Sequence, residues 1–232
     1  MYLSCARAIL IGVGLCIPGA TLAETSAPPA STVQEVEAGE LFPLVPGEST
    51  FEVVDGDGKG RQVVLELSSA EGEGEGRWEV RFGDYNILHL SKLRDGSVLL
   101  TGLDVLTQGQ TVRYEPPVVL LPNRIVPDRT WSASGRATIV NRETQEVVHT
   151  GEYQHRVMPI TRERYATPAG DYEGFLVPLE QTIDLEAQAV IRLWLDLGFF
   201  PGKGLVKRSM KFVVDKPMFF GSTTRRTAEL VR

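Results

Sequence analysis

Cysteine is almost absent from this chain. There are two, Cys5 and Cys16, and both lie in a leading segment that reads as removable, so the remainder has neither a disulfide framework nor a cysteine nucleophile. Long apolar runs are missing too. The clearest one, 8–17, falls well short of the roughly 20 residues that a membrane-spanning helix needs. No stretch keeps helical periodicity with capping residues at its ends, and 14 prolines oppose long helices. Basic charge is in deficit, with 24 Lys and Arg against 30 Asp and Glu, a formal −6. That balance disfavours nonspecific binding to nucleic acid or anionic lipid. No internal repeat of fixed period is present.

What is present begins with a targeting pattern. Arg7 is the one charge before the apolar core, Pro18 and Gly19 break the helix, and Thr21-Leu22-Ala23 offers the small residues that signal peptidase requires. The expected cut follows Ala23, giving a signal peptide over 1–23 and a periplasmic or secreted product. Leu15 stands before Cys16 where a lipidation motif places a small residue, so lipidation is not expected. Without residues 1–23 the chain keeps 23 basic and 30 acidic residues, a formal −7, and no transmembrane segment is expected in it. Residues 24–37 carry Pro28, Pro29, serine and threonine with little apolar content, the composition of a flexible leader. Residues 38–232 remain, a length that suits a single domain with a real core.

Period-2 alternation recurs from Ser49 onward. Trp78, Val80 and Phe82 share one face against Arg77, Glu79 and Arg81. Ala189, Ile191, Leu193 and Leu195 repeat the pattern opposite Arg192, Trp194 and Asp196, and Val206, Met210, Phe212 and Val214 oppose Lys207, Ser209 and Lys211. Half-buried antiparallel strands read this way. Turn residues separate the runs. The 55–60 stretch should close a hairpin, 71–76 is an acidic glycine-rich loop, Asp95-Gly96 and 141–145 mark further hairpins, and Pro168-Ala169-Gly170 makes a tight turn. The stretch 84–93 has room for one or two helical turns. About a dozen strands result on this patterning, and flat sheets of about ten strands are rare. The expected fold is all-β, a single strongly curved antiparallel sheet or an open (half) barrel.

Four segments carry a family resemblance. Leu41-Phe42-Pro43-Leu44, with Gly47 and Phe51, opens the domain. Tyr114-Glu115-Pro116-Pro117 follows, with Leu121-Pro122 and Trp131, then Thr167-Pro168-Ala169-Gly170-Asp171-Tyr172, and last Phe200-Pro201-Gly202-Lys203-Gly204-Leu205-Val206-Lys207. Together they resemble the DUF3108-like (TapB-type) group of secreted or periplasmic β proteins, whose late motif reads roughly W-Y-A-P-G-V-G-x-V-K. Phe51 stands where that pattern often has Trp, Phe199-Phe200 replaces Tyr-Ala, and Lys203 replaces the apolar residue between the glycines. The resemblance implies a curved antiparallel sheet, an envelope location and no established catalytic residues. Each motif also has a reading as topology: Gly202 and Gly204 suit a tight corner, and Pro116-Pro117 should interrupt strand pairing.

Candidate chemistry is sparse. Asp55, Asp57, Gly60 and Glu66 imitate a calcium-binding loop, but Lys59 puts a cation where an oxygen ligand belongs and the flanks read as strands. His149 and His155 share a strand face with Tyr153 between them, about 20 Å apart when extended and too far for one metal unless another segment, such as that of His89, folds in. No Gly-x-Ser-x-Gly elbow marks a hydrolase, and the carboxylates of 71–75 have no apolar surroundings to raise a pKa. Lys203, Lys207, Arg208 and Lys211 cluster late, with Arg225-Arg226 in the last strand. They suit either an anionic partner, such as a lipid head group or a cell-wall polymer, or a solvated sheet face or charged edge, and the second is the expected reading. Phe199, Phe200, Phe219 and Phe220 read as core.

No catalytic, cofactor-binding or metal-binding residue, and no cofactor, is therefore assigned from the sequence. The expected role is non-catalytic binding, on a curved sheet, of an envelope protein, a glycan or a lipophilic ligand. A periplasmic lipid carrier is the first alternative, and a hydrolase with a site assembled in space is the second.

Overall fold

The computed structural model describes residues 35–69, 76–186, 188–216 and 219–232. The signal peptide at 1–23, most of the leader and the acidic loop at 71–75 lie outside the described residues. The described residues open with β1 (Val36–Glu37) and a single helical turn, α1 (Ala38–Leu41). Val36, within the segment expected as leader, is buried and its strand pairs with β8 (Arg124–Ile125).

All other strands belong to one antiparallel sheet. They are β2 (Gly47–Gly56), β3 (Gln62–Ser69), β4 (Arg77–Phe82), β5 (Asn86–Lys92), β6 (Val98–Val105), β7 (Gln110–Leu121) and β9 (Trp131–Asn141). Then come β10 (Val147–Val157), β11 (Thr161–Thr167), β12 (Gly170–Asp184), β13 (Val190–Phe200), β14 (Gly204–Lys216) and β15 (Phe219–Leu230). Their order is β10-β9-β7-β6-β5-β4-β3-β2-β15-β14-β13-β12-β11, with a further pairing of β10 to β12.

That last pairing corrects the expectation of an open sheet. β10 runs beside the second half of β12, from Glu152↔Asp184 to Val157↔Leu179, and closes twelve strands into a barrel. β11 lies along the first half of the same edge, from Thr161↔Leu176 to Thr167↔Gly170. β10 and β11 thus act as one edge, broken at 158–160. Closure gives β10 a partner on both sides and leaves β11, paired to β12 alone, as the last strand of the order.

The expected hairpins close where turn residues stood. Gly56, Gly58 and Gly60 all hold positive φ between β2 and β3. Pro116 and Pro117 do interrupt pairing: the β6–β7 register jumps from Leu100↔Val118 to Gly102↔Arg113, so 114–117 bulge from that ladder. The 84–93 stretch is not helical. After a turn at 83–85 it is β5, because Asn86, Leu88 and Leu90 alternate onto the inner face beside Phe82, Val80 and Trp78.

The interior is one apolar core running through every barrel strand. One end is capped by the segment around α1. Ala38 N–H donates to Asn123 O, Gly202 N–H donates to Glu40 O, and buried Leu41 and Phe42 turn inward, with Phe42 on Phe199 at 5.5 Å between ring centroids. The Phe200-to-Gly204 corner belongs to this cap. At the opposite end, inner-face residues of β13 and β14 (Ile191, Leu193, Met210, Phe212 and Val214) are only half-buried.

Candidate functional site

Closing the sheet puts its concave face inside, and a cavity of about 70 Å³ lies there. Its wall is mostly leucine, including Leu65, Leu100, Leu120, Leu179 and Leu195, and Phe42 and Phe199 reach it from the cap. Four polar side chains interrupt this wall: Asn86 on β5, His155 on β10, Gln181 on β12 and Arg208 on β14. Among the described residues no Asp or Glu lines it.

Arg208 is the residue that sequence reasoning misplaced. Its charge and its neighbours Lys207 and Lys211 predict a solvated surface position, yet it is 9% exposed. The signal was the strand period itself, since 208 falls between Val206 and Met210 on the inner face. The guanidinium sits over the Phe82 ring at 4.4 Å and donates weakly to Met210 Sδ at 3.6 Å. Among the described residues no carboxylate pairs with it. Burial, then the charge of Arg226, pulls its pKa down to about 10, which leaves it cationic at neutral pH.

His155 faces Gln181 directly across the β10–β12 closure. Burial pushes its imidazole down from 6.5 to about 4, so it is neutral at physiological pH. Tyr114 donates to Gln181 Oε1 at 3.4 Å and stacks edge-on against Tyr153, whose hydroxyl donates to Pro116 O at 2.6 Å. Both nitrogens of His155, Nε2 of Gln181 and Oδ1 of Asn86 are buried without a hydrogen-bond partner. All four belong to residues that line this one cavity, whereas buried polar atoms are nearly always satisfied in folded proteins.

The remaining candidates disperse. His89 is on the outer face, with Nδ1 3.3 Å from Glu79 and Nε2 3.2 Å from Asp104, so the three histidines do not converge. Asp104 is itself buried, accepting from Thr111 Oγ1 at 2.7 Å and Arg142 Nε at 3.1 Å. No histidine hydrogen-bonds a serine among the described residues. The 55–60 stretch is a hairpin turn, with Asp57 Oδ2 accepting from the Arg225 backbone N–H at 3.2 Å. Lys207 pairs with Glu229 at 2.8 Å, and Lys211 lies over Trp194, both on the outer face. Phe199 is buried and lines the cavity, while Phe200 is half-buried against Tyr172. The side chains of Phe219 and Phe220 lie outside the described residues.

No family model matches the chain, and no curated protein matches it in sequence. Two solved structures overlap it weakly. A candidate lipoprotein from Parabacteroides distasonis is 11% identical, covers 82% of this chain and 96% of its own, and gives a TM-score of 0.36. A candidate exported protein with a YmcC-like fold, from Bacteroides fragilis, is 12% identical over 83% of this chain and 97% of its own, with a TM-score of 0.32.

Proposed function

We propose that this is an exported envelope protein that works without catalysis, by holding a lipophilic molecule inside the barrel. The observation that carries the reading is the closed sheet. Its concave face, a surface suited to enclosing an apolar ligand, is the leucine-rich wall of the cavity. The targeting pattern ending at Ala23 and the DUF3108-like motifs support the compartment.

Titration with the uncharged dye N-phenyl-1-naphthylamine tests the reading. Saturable fluorescence enhancement is expected, and Leu195→Trp, which fills the cavity, should abolish it with the fold intact by circular dichroism. A dye response that survives Leu195→Trp, or none in the wild type, overturns the proposal. N-terminal sequencing of protein from the envelope should begin at Glu24.

A further inference from the structure

We infer that the ligand is an amphiphile with a singly charged anionic head of the carboxylate type, its head on Arg208 and its tail along the lip of β13 and β14. This rests on the ligand-in-barrel reading above and adds the chemistry of the ligand. A cation taken out of water without a counter-ion is among the costliest arrangements in a protein interior, and the face of Phe82 offsets only part of that cost. Because no Asp or Glu among the described residues lines the cavity, the neutralising charge arrives with the ligand.

The donors suit a planar anion. A guanidinium fork matches both oxygens of one carboxylate. Gln181 Nε2 and the N–H of neutral His155 are further donors without partners, and Asn86, turned by 180° about its last torsion, presents its NH2. A neutral head would leave Arg208 uncompensated, and a cationic head would be repelled.

Size places the tail. A void of about 70 Å³ holds roughly two waters at about 30 Å³ each, or one small head group. From Leu195 and Met210, which face one another across β13 and β14, the paired residues Leu193–Phe212 and Ile191–Val214 continue as a half-buried apolar strip to the end opposite α1. In this reading room for the tail comes from rotation of the half-buried side chains along that strip.

Calorimetric titration of the delipidated protein at pH 7.5 with octanoate, octanol and octylamine tests this, since the three share a tail and differ in head. Octanoate should bind about 10- to 100-fold tighter than octanol, the range of a charge-assisted hydrogen bond, with octylamine weakest. Arg208→Gln should erase the preference for octanoate, and Arg208→Lys should retain part of it. If wild type binds octanol as well as octanoate while N-phenyl-1-naphthylamine still binds, the head-group inference falls and the reading beneath it stands. If neither dye nor any octyl probe binds, both fall. The wild-type comparison decides the matter even where Arg208→Gln does not fold.

Discussion

Acid should weaken this barrel through His155. The unfolded imidazole takes up a proton near pH 6.5, whereas the folded one resists it until about 4 because burial penalises the charged form. Between those values the unfolded state binds more protons, so stability rises with pH across the window and is lost as pH falls through it. At about 1.36 kcal/mol per pKa unit, the full window is worth on the order of 3 kcal/mol, of which roughly 2.5 is gone by pH 4.5. Asp196 acts in the opposite sense, since burial raises its carboxyl and the folded state then holds that proton better. A difference between variants removes this shared contribution. Urea unfolding of wild type and His155→Leu should be measured at pH 7.5 and 4.5. Wild type should lose about 2 to 3 kcal/mol more than the variant on acidification, a large share of the 5–15 kcal/mol typical of a domain. Equal losses, within about 0.5 kcal/mol, would refute the argument and mean that His155 is hydrated in the folded state.

Gly204 holds φ +88°, and a Cβ there would meet Pro43 and Phe42 no closer than 3.6 Å. The cost of Gly204→Val is thus backbone strain of about 1–3 kcal/mol, read as a Tm lower by roughly 2–10 °C. Lys203, exposed and donating to the Tyr172 hydroxyl at 2.9 Å, should by contrast change stability by less than about 1 kcal/mol on Lys203→Ala. Asp104→Ala should cost about 1–3 kcal/mol in urea unfolding, because it strips Arg142, Thr111 and His89 of a shared buried acceptor. A loss below about 0.5 kcal/mol would show that water replaces it freely.

Strands and turns were legible because each depends on residues close in sequence. Trp78, Val80 and Phe82 face inward as their alternation required, and Lys207, Ser209 and Lys211 face outward. Closure was not legible, since whether β10 meets β12 depends on accumulated twist and bulges rather than on any local pattern. Arg208 shows a different failure. Its position in the β14 alternation pointed inside, but its charge was allowed to outweigh the period. The orphaned atoms of His155 and Gln181 were beyond reach, because their pairing exists only once that seam forms.

The place of β15 in the sheet has a kinetic consequence. It lies between β14 and β2, with Ala228 opposite both Arg208 and Val53. Two halves of the wall are therefore joined by a strand made some 170 residues after the one it meets. Until about residue 230 has been synthesised, neither β2 nor β14 has this neighbour, and the leucine-lined interior has no enclosing wall. Contacts of such separation are slow to form. Folding should consequently be a late, all-or-none event, with a lag that a covalent link between the ends of β2 and β15 would shorten.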